Sequence, residues 1–300
     1  MTHLHLQRSP LVNLRHYKVT LTTAYQPHFG ISGHLYEMIE YFMHFRFDKG
    51  VEACILISDG TTEEMFFSAI SSKYDLTDSE TQQFKDHTYF KFKPHVIYAD
   101  TLLITNGSMR FEGADLFANK KLVFRCSNLE PGLDRDDIIV LQDPRIYEDM
   151  PNSVPYVKRM MFSKYKRLEP KHPNIGMFYA KSNSKVMLQD EFDYLVDKYK
   201  ERFDKFILLT DTQTYTPDGV ELRLVPIPDL WDSFNTYIYT HKESTKLVDC
   251  SPRFVAECKY YGKELIIESP TIDKGLAARL EDIETFDVLL RENDDISSKI

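Results

Sequence analysis

Glycine is scarce in this chain, with 11 in 300 residues, and none of it forms the G-x-G-x-x-G spacing of a dinucleotide-binding turn. That argues against a nicotinamide-dependent dehydrogenase, whose backbone must approach a pyrophosphate at such a turn. Cysteine is rarer still, and Cys54, Cys126, Cys250 and Cys258 show no C-x-x-C pair. Zinc-ribbon and disulfide-framework architectures are thereby excluded, and Cys54, inside an apolar run, reads as a small core residue. No apolar run approaches the roughly 18 residues of a membrane span. The first residues lack the apolar core of a secretory signal. A soluble, cytoplasmic protein without a membrane partner is the expectation. Positive charge is in deficit, 37 Lys and Arg against 46 Asp and Glu, and the net charge of −9 argues against a general nucleic-acid coat. Internal repeats and low-complexity tracts are absent.

What the chain has is aromatic and aliphatic bulk: 18 Tyr, 20 Phe and a 42% hydrophobic content. Three hundred residues make one large or two medium domains. Most of those rings serve cores, with a carbohydrate- or base-stacking surface as the alternative use.

Strand-like runs alternate with helical ones. Tyr17–Ala24 reads as a strand, Tyr25–Gly33 as a loop and His34–Phe47 as an amphipathic helix. Val51–Ser58 is a second strand and Thr61–Lys73 a helix. His95–Ala99, Leu102–Thr105, Lys121–Cys126 and Asp137–Leu141 follow as strands. Between Asp143 and Pro173 the pattern lapses under five prolines, with a basic run of Lys158, Arg159, Lys164, Lys166, Arg167 and Lys171. That run is either a solvated linker face or a phosphate-tracking surface. Beyond it come the strands Ile175–Ala180, Phe206–Thr210, Glu221–Val225 and Tyr237–Thr240, a helix over Gln189–Arg202 and a helical pattern from Asp273. Such alternation predicts βαβ units and mostly parallel sheets. The expected organisation is an α/β protein of two Rossmann-like domains facing across a cleft. Residues 1–155 form the first, 156–172 a linker, 173–275 the second and 276–300 a helix and tail.

The segment Asp249–Ile267, D-C-S-P-R-F-V-A-E-C-K-Y-Y-G-K-E-L-I-I, carries the most chemistry. A polar loop runs into a short helix, Phe254–Tyr261, with Pro252 suited to its first turn and Ser251 or Asp249 to its cap. The exposed N–H groups and positive end of such a helix form an anion site. Glu257 lies one turn further in, within reach of ribose or sugar hydroxyls. Gly262 ends the helix, and Glu264–Ile267 is a strand.

This arrangement resembles the donor-binding segment of GT-B glycosyltransferases, whose E-x7-E motif spans the same loop and helix. The second acid matches Glu257, and the G-x-x-(V/I) that follows matches Gly262 and Leu265–Ile267. The first acid falls on Asp249, an Asp where the family has Glu. The resemblance implies a GT-B fold and transfer of a sugar from a nucleotide-sugar co-substrate to an acceptor hydroxyl, without a bound metal or further cofactor. Positive or N–H-rich groups are then needed at the departing phosphates, and a base at the acceptor.

Several residues could serve those needs. Lys181 and Lys185 follow the first strand of the second domain, where the family places a phosphate-binding cation; solvated loop lysines are the plainer reading. Arg253 and Ser251 flank the anion site, as a phosphate contact or as a surface ion pair and a helix cap. Tyr237 and Tyr239 end the preceding strand, and Tyr239 is the candidate for stacking on the base, with strand packing as the alternative. In the first domain Gly30 and Gly33 permit close ligand approach at a strand-to-helix loop. His34 beside them is the candidate general base, since its imidazole is neutral near pH 7. His28 is a second candidate. Asp59, Asp100 and Asp143 each follow a strand-like run and serve as turn residues or cleft carboxylates.

For the acceptor, the Lys/Tyr/Phe-rich vocabulary resembles small phage glycosyltransferases acting on hydroxymethylated bases, which would make DNA a partner. A saccharide or small metabolite is the alternative acceptor. Outside the class stand a nucleotide-binding protein without transfer chemistry and a structural protein.

Overall fold

The computed structural model describes residues 15–22, 33–57, 61–90, 97–104, 118–125, 132–157, 160–168, 173–180, 188–210, 215–223, 230–240, 252–269, 272, 274–284, 296 and 300. Its strands run in two sheets. The first contains β1 (Arg15–Thr22), β2 (Ala53–Ile57), β3 (Thr88–Phe90), β4 (Ile97–Ile104), β5 (Ala118–Phe124), β6 (Ile138–Gln142) and β7 (Ser153–Pro155). The second contains β8 (Ile175–Ala180), β9 (Lys205–Thr210), β10 (Val220–Arg223), β11 (Thr236–Thr240) and β12 (Glu264–Glu268). Every pairing is parallel, in the orders β3-β2-β1-β4-β5-β6-β7 and β10-β9-β8-β11-β12. Both are doubly wound sheets, and the order reverses at β1/β4 in the first and at β8/β11 in the second. Ligands bind such sheets beyond the carboxyl ends of the strands at those points.

The strand composition explains the burial. Ala53–Ile57 (A-C-I-L-I) is buried throughout, as a parallel strand covered on both faces must be. In the second lobe a period of two separates the faces. Met177, Ile207, Leu209, Tyr237 and Tyr239 share one core, and Phe178, Leu208 and Ile238 share another with Phe192 and Leu195 of α4 (Gln189–Tyr199). Three helices of the first lobe, α1 (Gly33–Met43), α2 (Glu63–Lys73) and α3 (Asp78–His87), cover one face of its sheet. The second lobe adds α5 (Arg253–Tyr260) and α6 (Lys274–Glu284).

Three differences from the sequence reading have physical causes. The described parts of the two expected strands, Ile97–Ala99 and Leu102–Ile104, belong to one strand, β4, in which Asp100 places its carboxylate sideways on His16 and Lys18 of β1 rather than ending the strand. Asp100 is therefore a mid-strand residue and not one that follows a strand. Helix α3 and strand β3 were not expected: D-S-E-T-Q-Q-F-K-D-H has one apolar anchor, Phe84, and the helix is held at its start by a Thr77–Glu80 capping box. The proline-rich stretch also supplies β7, where Pro155 is tolerated because the strand is an edge.

Candidate active site

Helix α5 follows β11, a strand at the switch point of the second sheet, so its amino end lies where a doubly wound sheet receives a ligand. Pro252 occupies the capping position with φ −65°, one place earlier than the first-turn site. At the other end Gly262, at φ +65°, takes the left-handed conformation that ends the helix. Gly262 N–H donates to the Lys259 carbonyl and Lys263 N–H to that of Cys258, a Schellman closure. The helix has two working faces. Val255 and Cys258 enter the core of the second lobe, whereas Arg253, Ala256, Glu257 and Tyr260 share the i, i+3, i+4, i+7 stripe. Ala256 and Tyr260 of that stripe pack into the core of the first lobe, with the Tyr260 ring stacked on Phe162 at 4.8 Å.

The charged members of the stripe meet partners from the first lobe. Arg253 Nη2 bonds Glu40 of α1, and Arg253 Nε donates to Glu257 Oε1 at 2.6 Å. Lys73, the last residue of α2, bonds the same Glu257 oxygen. The Tyr165 hydroxyl accepts from Arg253 and sits 2.8 Å from Glu40 and 3.2 Å from Glu257, donating to one of them. Glu40 also accepts from Tyr74 at 2.8 Å and from the Met161 backbone N–H at 3.1 Å. Lys73 Nζ lies 3.9 Å from the centre of the Tyr36 ring, an attractive cation–π placement. Two carboxylates and two cations, buried together, thus cancel in pairs that cross between the lobes.

Burial sets the electrostatics of this cluster. Lys73 is pushed down to about 8 by desolvation, against the pull of Glu257. Burial alone pushes the Glu257 carboxyl up, but Lys73 and Arg253 outweigh it and hold the group below the ordinary carboxylate value. Tyr74 and Tyr165 stay firmly protonated, first because they are buried and then because Glu40 stands beside them.

A second cluster lies further along the seam. Arg145, just after β6, grips Asp143 (2.6 and 3.0 Å) and also donates to Asp282 of α6 at 2.6 Å. Arg279, one turn before Asp282, is buried beside it, and desolvation lowers its pKa against the fields of Asp282 and Glu37. Together with Arg125, whose guanidinium stacks 4.2 Å from the centre of Tyr147, these residues line a small interlobe cavity.

The structure distributes the expected site residues as follows. Arg253 and Glu257 come together, both buried and engaged with the first lobe. His34 is half-buried at the start of α1, its Nδ1 3.6 Å from Glu37. Gly33 opens α1, and a Cβ there would meet nothing within 4 Å. Tyr239 is fully buried in the core of the second lobe, edge-on to Tyr237. Asp143 holds its own turn, accepting from the Arg145 backbone N–H at 3.0 Å. Gly30, Lys181, Lys185, Ser251, Asp249, His28 and Asp59 lie outside the described residues. Among the described residues no group of three or more His, Cys, Asp or Glu is placed to hold a metal ion, and no helix is long and apolar enough to cross a membrane.

Sequence reasoning missed Glu40, Lys73 and Tyr165. Glu40 did leave a signal: α1 reads G-H-L-Y-E-M-I-E-Y-F-M, apolar nearly all round, and an acid set in such a helix requires a buried partner. Lys73 and Tyr165 left none, because only the tertiary fold brings them to α5.

No protein-family model matches the sequence, and no curated protein matches it. Solved structures do match in fold. A mutant of S. aureus TarM, in complex with Fondaparinux, alpha-GlcNAc-glycerol and UDP, superposes at a TM-score of 0.51 with 10% identity, over 91% of this chain and 94% of that one. A glycosyltransferase from Rickettsia africae gives 0.47 at 10% identity, over 91% and 89%. Against another TarM structure the chain spans about half of that protein, 48%, at a TM-score of 0.36 and 12% identity over 63% of this chain. Two doubly wound parallel lobes meeting along a charged seam, and matched over nearly their whole length by TarM, have the GT-B fold.

Proposed function

We propose that this chain is a glycosyltransferase that takes a nucleotide-sugar donor in its second lobe and transfers the sugar to an acceptor hydroxyl held by the first. The observation that carries this reading is the position of Pro252–Ile267. Its helix follows the switch-point strand β11, ends at Gly262 and runs back into β12, and its Arg253–Glu257 stripe faces the opposite lobe. Residues 1–155 are assigned to the acceptor side and 173–275 to the donor side.

In this reading the amino end of α5, with Ser251 and Arg253, receives the diphosphate. Glu257 meets the ribose hydroxyls, Lys181 and Lys185 add charge at the phosphates, and Tyr239 backs the base site from within the core. Gly30 and Gly33 close the first lobe over the donor. His34, oriented by Glu37, accepts the proton of the acceptor. The acceptor is assigned to the saccharide or small-metabolite class. A hydroxymethylated DNA base receives no comparable support: the net charge is −9, and Lys164 of the basic stretch is paired with Glu80.

The test is release of nucleoside diphosphate from a panel of nucleotide sugars, with glycerol, simple saccharides and hydroxymethylated DNA each supplied as acceptor. Release dependent on a saccharide or polyol is expected. Release dependent on the DNA alone reverses the acceptor assignment, and a donor that binds without ever turning over makes the protein a non-catalytic nucleotide binder.

A further inference from the structure

The arrangement around α5 holds more than a binding stripe. Both groups proposed for the donor are buried, and each is engaged by the first lobe or the segment between the sheets. The Glu257 side chain is 6% exposed, and its Oε1 accepts from Lys73 and Arg253, with the Tyr165 hydroxyl 3.2 Å away. Arg253, 10% exposed, spends Nε on Glu257 and Nη2 on Glu40 and Tyr165. A ligand hydroxyl at Glu257 Oε1 competes with Lys73 and Tyr165, and a phosphate at Arg253 Nη2 competes with Glu40 and Tyr165.

Every one of those blocking groups comes from outside the second lobe. Glu40 is on α1, Lys73 ends α2, and Tyr165 belongs to the segment between the sheets. The pairing is also reciprocal: each of the two sides presents one acid and one base, Glu40 with Lys73 and Glu257 with Arg253. Moving α5 away from α1 and α2 therefore removes the first-lobe partners of both donor groups in one displacement and leaves only their bond to each other. The same displacement uncovers Ala256 and unstacks Tyr260 from Phe162, which biases the protein toward the closed seam.

We propose that Lys73 and Glu40 form a latch that competes with the nucleoside diphosphate portion of the donor for Glu257 and Arg253, so that the first lobe sets donor affinity by occupying the donor groups when no donor is bound. Lys73 and Glu40 are positioning residues in this scheme: they act through Glu257 and Arg253. The inference rests on the donor assignment above, and its test separates the two.

Wild type, Lys73→Met, Lys73→Arg and Glu40→Gln are titrated calorimetrically with ADP, GDP, UDP, CDP and dTDP, with near-ultraviolet circular dichroism to confirm the fold. Small-angle scattering reports lobe separation. Lys73→Met and Glu40→Gln are expected to bind the preferred diphosphate about tenfold more tightly than wild type and to show a larger radius of gyration without ligand. Lys73→Arg, which keeps the cation, is expected to restore wild-type behaviour. Should one of the two latch variants fail to fold, the other decides. Unchanged or weaker affinity in a folded latch variant overturns the competition and leaves the donor site standing. Absence of binding by all four proteins overturns the donor assignment and the latch together.

Discussion

Lys73 is a buried cation whose proton is held weakly, and that gives the seam a pH dependence of definite sign. Its folded value of about 8 lies below the ordinary lysine value of 10.5. Between those two limits the unfolded chain binds the proton and the folded chain does not, so stability rises with pH across that window and is level below it. The shift corresponds to on the order of 3 kcal/mol. The stability difference between wild type and Lys73→Met, followed by chemical denaturation from pH 7.5 to 10.5, is expected to move in favour of wild type as pH rises. A flat difference contradicts the burial assigned to Lys73. Gly176 offers a simpler case. An added Cβ meets Phe203 Cδ2 and Phe206 Cδ1 at 3.0 Å, so two buried rings packed edge-on to each other must shift to admit it. Gly176→Ala is expected to lower the unfolding free energy by about 1–3 kcal/mol, as overpacked cores do. Neither property is legible in the sequence: a lysine in S-S-K and a glycine in I-G-M-F read as a helix end and a strand residue, and only their neighbours in space make them costly.

At the scale of elements the sequence was more informative. The strands β2, β8, β9, β11 and β12 lay within a residue or two of their expected positions: β2 and β11, buried throughout, are written as unbroken apolar or β-branched and aromatic runs, and the half-buried edge strand β12 is marked by Gly262 before it. Helix α5 was equally legible, since Pro252 and Gly262 punctuate it. Its two-faced role was harder to see, because the Arg253–Ala256–Glu257–Tyr260 stripe mixes charge with apolar surface and so matches no simple amphipathic pattern. Helix α3 was missed for the opposite reason: it is polar nearly throughout and depends on its cap. Thr77→Ala, which removes the acceptor for the Glu80 N–H, is expected to cost about 1 kcal/mol. Loss of helical protection over Asp78–His87 in hydrogen exchange would accompany it. An unchanged exchange pattern would show that Phe84 packing, not the cap, holds the helix.

For the whole molecule the seam is the organising feature. Five basic groups (Lys73, Arg125, Arg145, Arg253 and Arg279) and five acidic ones (Glu37, Glu40, Asp143, Glu257 and Asp282) are distributed along α1, α2, α5, α6 and the ends of β5 and β6. The buried charge is balanced, which is the condition for so many ions to leave water. Asp282→Asn unbalances it, leaving Arg145 and Arg279 without their shared carboxylate, and is expected to cost about 3–5 kcal/mol in a denaturant titration. The two-lobe architecture was legible from strand alternation and from the D-x7-E segment. The closed seam was not, because its interlobe ion pairs, Lys73–Glu257, Glu40–Arg253 and Arg145–Asp282, join residues far apart in the chain that meet only across the fold. The most direct measurement is a thermal-shift screen of the intact protein against nucleoside diphosphates and nucleotide sugars. A ligand at 100 times its dissociation constant stabilises the native state by about 2.7 kcal/mol. A clear upward shift with one nucleoside diphosphate and its sugar conjugates is expected. No shift with any of them, at millimolar concentration, contradicts the donor site and leaves α5 as a structural bridge between the lobes.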